Sequence, residues 1–279
     1  MTSLNIQLML KNKVLWAWPI IAVLVALLVG WYGDIQSAGN NYSFLFGSGN
    51  SPLLTSGFLI KQITGFFILI AIIGLPTHFG KNLESNRASM LLSKPISRTD
   101  FFISEFAAVI TVTLIYTLIT NIVLAVLLAV EAGIFPYQLY LGILFYIPLY
   151  ILAIYVSIVL LLVLTRSYLA SVLIAFLLLA PLSGFLLEAE TFLSFMGLNT
   201  ELMVGLADGL SYLVPSTAGV DKLMVGLEMP GPDAAAMPEM SGVLINGFVA
   251  FNWQLFGFVL LSCLPFFLLS FYLMRRKQF

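Results

Sequence analysis

Charge is scarce in this chain. Of 279 residues only 9% are Asp, Glu, Lys or Arg, while 61% are hydrophobic and the mean hydropathy is +1.05. A water-soluble domain needs far more polar residues to cover its surface, so a soluble globular fold is excluded. The net charge is −1, leaving no basic excess to neutralise a nucleic-acid backbone, and nucleic acid is excluded as a partner. A single cysteine, Cys263, rules out an intrachain disulfide and a thiolate metal cluster. It lies inside an apolar run and reads as a packing residue. The only histidine, His78, follows Pro76 with no His-x-x-Glu, Glu-Glu or Cys-His spacing around it, so neither a metal nor a catalytic role has partners. No Gly-x-x-x-x-Gly-Lys-Ser/Thr phosphate cradle occurs, so the chain does not hydrolyse ATP by the usual route. No internal repeat is visible.

Long apolar runs, by contrast, are plentiful. Crossing about 30 Å of hydrocarbon takes roughly 20 mostly apolar residues in a helix, because every backbone amide must be satisfied within the segment. Six stretches qualify, at about 14–33, 63–80, 106–130, 139–164, 168–187 and 251–274. The expected fold is therefore an all-α integral membrane protein, one transmembrane domain over 1–279, whose six helices place both termini on one side. The first run follows Lys11 and Lys13 but has no small-x-small cleavage site after it, so it reads as a retained span.

Orientation follows from the cations. With the termini inside, Lys11, Lys13, Lys81, Arg87, Lys94, Arg98, Arg166, Arg275, Arg276 and Lys277 are cytoplasmic and only Lys61 and Lys222 are outside. That bias sets the N and C termini in the cytoplasm. Most acids fall on the other side, with only Glu84, Asp100 and Glu105 inside, and no ionisable side chain is expected deep in a span. Such an absence argues against a proton-driven carrier.

Three polar pieces remain. The first outer loop, from Asp34 to about Gln62, is rich in Gly, Ser and Asn and reads as turns or a flexible cap. The outer segment 188–250 carries helix-like patterns near 201–213 and 218–227, then a stretch rich in Pro, Gly and Ala. Leu202, Leu206 and Leu210 recur there at four-residue spacing, giving one face that suits the membrane surface or neighbouring spans. The third piece, LESNRASMLLSKPISRTDFFISEF, lies between the second and third runs. Residues 84–92 have helix-compatible composition, with Met90, Leu91 and Leu92 forming an apolar patch beside Arg87. Pro95 disfavours helix at Lys94, and Ser97 or Thr99 suits the cap of the next helix. A short helix across the membrane face followed by a tight turn is a rigid knob that a cytosolic protein can grip; anchoring to lipid headgroups is the simpler reading of the charges.

The order Glu84, Met90-Leu91-Leu92-Ser93, Pro95-Ile96-Ser97-Arg98, placed between the second and third spans, resembles the cytosolic loop of ABC-2 type transporter permeases. Members show an acidic residue, a small pair, then "LLS-x-PISR" before the third helix. Residues 4–16 likewise look like that family's amphipathic connecting helix. The resemblance implies a bacterial inner-membrane, multi-pass permease that is not itself an enzyme. It would pair with a second permease copy, the same chain or a close homologue, and with two copies of a cytosolic ABC ATPase that hold ATP and Mg, this chain binding no cofactor. The loop would be a coupling helix: Glu84 and Arg87 orient it, Met90, Leu91 and Leu92 fill the ATPase groove, Pro95 lies in the turn, and Arg98 holds the turn or a lipid headgroup. Export is the commoner direction in the family, and membrane lipid and an outer-face or periplasmic partner are further expected contacts.

Within the spans, Thr113, Thr117, Thr120 and Asn121 share one helical face. They suit either a translocation path or helix packing, and packing is the simpler account. Tyr146 and Tyr150 flank Pro148 and carry the same two readings. Gly65, Gly74, Ser171, Ser183 and Gly184 are compatible with close helix contacts, including contacts across a dimer. Two alternatives from other classes are an intramembrane enzyme at the outer interface, using Glu188 and Glu190, and a scaffold that only anchors a partner complex.

Overall fold

Helices follow the apolar runs. The computed structural model describes residues 2–38, 41–46, 54–83, 97–131, 137–196, 200–220 and 253–276. Its helices are α1 (Thr2–Leu10), α2 (Lys13–Tyr32), α3 (Ser56–Leu83), α4 (Arg98–Glu131), α5 (Tyr137–Thr165), α6 (Tyr168–Leu187), α7 (Ala189–Phe195), α8 (Glu201–Ser211) and α9 (Trp253–Arg276). Each of the six runs read from hydropathy lies on one of α2 to α6 or α9. α3 and α4 extend beyond their apolar runs at both ends, because the flanking polar residues are themselves helix-compatible.

Four of these helices, or windows within them, are long and apolar enough to cross a membrane: Thr99–Leu127, Ile143–Thr165, Tyr168–Leu187 and Trp253–Arg276. The pair α1 and α2, bent by 62° at their junction, makes a fifth if it counts as one span, and α3 contributes the shorter apolar stretch Gly65–Thr77. The chain is a membrane-embedded, multi-pass helical protein.

α5 is the hub. It packs against α3, α4, α6 and α9, and 72% of its apolar window is buried, against 22% in α6 and 22% in α9. The peripheral helices turn Leu177, Leu178 and Leu182 on α6 and Leu261, Leu264 and Leu268 on α9 outward, where lipid solvates them. Dispersion and close fit hold such helices together, since lipid tails are as apolar as leucine. Aromatic rings supply much of that fit: Phe102 of α4 lies 5.4 Å from Phe267 and 5.8 Å from Phe271 of α9, and Phe106 lies 5.1 Å from Tyr155 of α5. α1 also packs along the start of α4, the same end of α4 on which Phe267 and Phe271 of α9 lie.

Two local irregularities mark α5 and α6. The connection between them is so short that Arg166 takes a left-handed backbone, φ 57, a conformation costing a non-glycine residue about 1 kcal/mol. Ser167 then caps α6 by accepting the Ala170 N–H. Inside α6, Ala175–Leu179 forms a π turn, which inserts one residue and rotates the second half of the helix relative to the first.

Between α2 and α3 the backbone forms a small antiparallel sheet, β1 (Gly33–Ala38), β2 (Asn41–Phe46) and β3 (Leu54–Thr55), in the order β1-β2-β3. Gly33 pairs with Phe46 and Ala38 with Asn41, and Ser43 pairs with Thr55. This departs from the turns or cap expected there. The Gly and Asn content masks the alternation of Tyr42, Phe44 and Phe46, a pattern that favours an extended strand.

Candidate functional site

At the end of the bundle where α1 meets α4, the joint between α1 and α2 is built by two side chains. Asn12 caps α2, its carboxamide oxygen accepting the Val14 N–H at 3.1 Å. Its amide nitrogen reaches across to donate to the Gly74 carbonyl at 3.0 Å. Trp16 Nε1 donates to the Leu10 carbonyl at 2.7 Å and closes the end of α1. The Gly74 carbonyl lies just before Pro76, whose ring removes one helical N–H from α3. Carbonyls in that turn are taken up by side chains: Thr77 Oγ1 donates to Gly74 O at 2.6 Å and Tyr168 OH to Ile73 O at 2.7 Å. Gly74 also permits the approach of α2, since a Cβ there would lie 2.5 Å from Leu15 Cδ2. Of the glycines singled out in sequence, Gly74 makes the close contact, whereas Gly65 and Gly184 open on free space within the protomer.

Ser97 is the cap of α4, accepting the Asp100 N–H at 2.9 Å. About two turns on, Ser104 accepts from Asn5 Nδ2 of α1 at 3.2 Å. Glu105 follows. It is fully buried at 0% exposure, inside the membrane-length window of α4 and within electrostatic reach of Tyr155. This corrects the expectation that no ionisable side chain lies inside a span. In sequence Glu105 lies just before the apolar run, near the start of its helix, but α1 packs along that start and the residue is enclosed in the bundle.

The same helix carries Thr113, Tyr116, Thr117, Thr120 and Asn121, all buried. Thr120 Oγ1 accepts from Trp18 Nε1 of α2 at 2.8 Å and donates to the Tyr116 carbonyl at 3.0 Å. Trp18 is itself sandwiched, 5.4 Å from Phe67 of α3 and 5.5 Å from Tyr116, both nearly parallel. Thr117 Oγ1 donates to the Thr113 carbonyl at 2.8 Å, and Asn121 Nδ2 donates to the Tyr140 carbonyl of α5 at 2.9 Å. Thr120 and Asn121 therefore tie helices together, which is the packing role. Tyr146 and Tyr150 form an aromatic pair at 5.9 Å around Pro148, Tyr146 buried and Tyr150 half-buried.

At the opposite end, residues 215–220 wedge between α6 and α9 through hydroxyls. Ser183 Oγ and Thr217 Oγ1 lie 2.7 Å apart, Ser262 Oγ accepts the Ser216 N–H at 3.0 Å, and Ser216 Oγ accepts the Gly219 N–H at 3.0 Å. All four hydroxyls are buried, as is Val220. A Cβ on Gly219 would lie 2.8 Å from Ser216 Oγ and 2.9 Å from Val259 Cγ2. Gly219→Ala is accordingly expected to displace the turn and destabilise the protein by about 1–3 kcal/mol, read as a lower melting temperature in detergent. An unchanged value would show that the wedge has slack.

α8 lies on the half of α6 beyond the π turn, burying Ala207 and, in part, Val204 against Leu186 and Leu193. It leaves Leu202, Leu206 and Leu210 exposed, so the four-residue spacing marks the outward face. The helix expected near 218–227 begins at 217 and its remainder lies outside the described residues. Sequence reasoning did not find Asn5, Asn12, Trp18, Ser216, Thr217 or Ser262. A polar residue on an otherwise apolar run was the available signal, but its partner lies far away in the chain.

Glu84, Arg87, Met90, Leu91, Leu92 and Pro95 lie outside the described residues. Arg98 starts α4, with its side chain outside them, and the His78 side chain is outside them too. Cys263 is buried in α9. No protein-family model and no curated protein matches this chain.

Proposed function

We infer that this chain is the membrane subunit of an ABC-2 type transporter, moved by a separate cytosolic ATPase and exporting a substrate or transmitting force across the bacterial inner membrane. The reading includes six spans, cytoplasmic termini and a second permease copy. The observation that carries it is the order Glu84, Met90-Leu91-Leu92-Ser93, Pro95-Ile96-Ser97-Arg98 immediately before α4. A chain with no phosphate cradle of its own must borrow its motor.

The start of α4 supports the reading mechanically. Ser97 caps the helix, Phe101 stacks 6.0 Å from Phe79 of α3, and Ser104 is bonded to Asn5 of α1. A displacement applied just before Ser97 would reach α1, α3 and α4 together, because packed elements shift as units rather than deforming. Gly65 and Gly184 leave small open faces on α3 and α6 suited to close contact with a second copy. Glu188 and Glu190, the acids of the enzyme alternative, are both exposed at the α6 to α7 junction.

The test is copurification. Solubilised from its own host in mild detergent, the chain is expected to bring along a protein that hydrolyses MgATP. A folded chain that yields no nucleotide-hydrolysing partner would overturn the reading.

A further inference from the structure

Four polar atoms in the bundle interior are buried and have no protein hydrogen-bond partner among the described residues: Thr113 Oγ1, Tyr116 OH and Asn121 Oδ1 on α4, and Tyr155 OH on α5. Their residues are 1%, 3%, 7% and 1% exposed. Leaving one such atom dry costs about 1–3 kcal/mol, and in hydrocarbon there is no solvent to relieve it. Each such group in a native structure calls for an explanation, an ordered water among them.

They are not scattered. At 100° and 1.5 Å per residue, Glu105, Thr113, Tyr116, Thr117, Thr120 and Asn121 fall within an arc of about 160° on α4 and climb about 24 Å. α5 runs antiparallel along the same stretch, since Tyr155 lies 5.1 Å from Phe106 at one end and the Tyr140 carbonyl meets Asn121 at the other. This polar face of α4 thus runs from the buried Glu105 beside α5, past Tyr116 and Thr120, which meet Trp18 of α2, to Asn121, bonded to α5, and spans most of a bilayer core.

We propose that this polar face of α4, flanked by α5 and α2, binds ordered water inside a single protomer between Glu105 and Tyr155 at one end and Asn121 at the other. Water is the ligand that fits. The unmet groups are two phenol hydroxyls, one aliphatic hydroxyl and one amide oxygen, which water satisfies as donor and acceptor at once. The proposal concerns this chain alone and stands independently of any ATPase. It gives a buried carboxyl a hydrated neighbourhood, which a dry helix interface would not.

X-ray radiolysis of the full-length chain in nanodiscs tests this, because hydroxyl radicals made from bound water oxidise the side chains beside it. Each residue's rate is divided by its rate in the denatured chain and read by mass spectrometry. Tyr116 and Tyr155 are expected to oxidise severalfold faster on that scale than Phe67 and Phe79, rings of α3 that are equally buried. Equal normalised rates would overturn the proposal. Thr113→Val adds an independent sign test. Removing a wetted hydroxyl lowers the melting temperature, whereas removing a dry unsatisfied one raises it, so a raised or unchanged value would contradict the bound water.

Discussion

Trp18→Ala is expected to destabilise the protein by about 3–5 kcal/mol, the range for emptying a fully buried aromatic site. The residue is 0% exposed and joins three helices: its ring lies between Phe67 of α3 and Tyr116 of α4, and its Nε1 donates to Thr120. In a bundle held by dispersion rather than by expulsion of water, the lost contacts are not recovered when lipid tails surround the opened helices. Trp18→Phe keeps most of the stacked area but loses the donor, and its cost should be nearer 1 kcal/mol. Equilibrium unfolding in mixed micelles reads both. Near-neutral behaviour of Trp18→Ala would mean that α2, α3 and α4 do not meet around this ring.

The double variant Leu91→Asp with Leu92→Asp is expected to weaken binding of the proposed ATPase by a hundredfold or more. If these leucines fill an apolar groove, the variant replaces that contact by two carboxylates that must be stripped of water to enter. Even a cost of about 1.5–2 kcal/mol for each change multiplies to roughly that factor or beyond. The substitutions lie before α4 and outside every apolar run, so the spans should still insert. Loss of the copurifying ATPase at unchanged expression and melting temperature is the expected result. Full retention would remove the loop from the interface.

Much of the helical frame was legible because hydropathy and length are what lipid selects: α2 to α6 and α9 lie over apolar runs visible without any structure. The interruptions were less visible. The π turn at Ala175–Leu179 occurs in a featureless run of apolar residues, with no proline or glycine inside it to mark an extra residue. The strands Gly33–Ala38 and Asn41–Phe46 hid behind turn-forming composition. Glu105 was misplaced because it precedes the apolar run at 106–130; the packing of α1 along the start of α4, with Asn5 bonded to the neighbouring Ser104, covers a turn that reads as the rim in sequence.

On α4 the polar stripe shares one face by its spacing, yet its division of labour depends on partners distant in sequence. Trp18 and Tyr140 decide that Thr120 and Asn121 are ties, and no local pattern names them. The same holds for the hydroxyl wedge, where Ser183, Ser216, Thr217 and Ser262 come from three separate stretches. Side chains that bridge helices are fixed by the fold as a whole.

The central claim is that an external motor reaches this bundle through the segment before α4, and sidedness tests it most directly. Arg87→Cys and Lys94→Cys, each made with the buried Cys263 left in place, would be exposed to a membrane-impermeant maleimide in intact cells and in inverted vesicles. The account predicts labelling only in the inverted vesicles. Labelling of either position from outside intact cells would put the segment beyond the reach of any cytosolic ATPase and contradict the account.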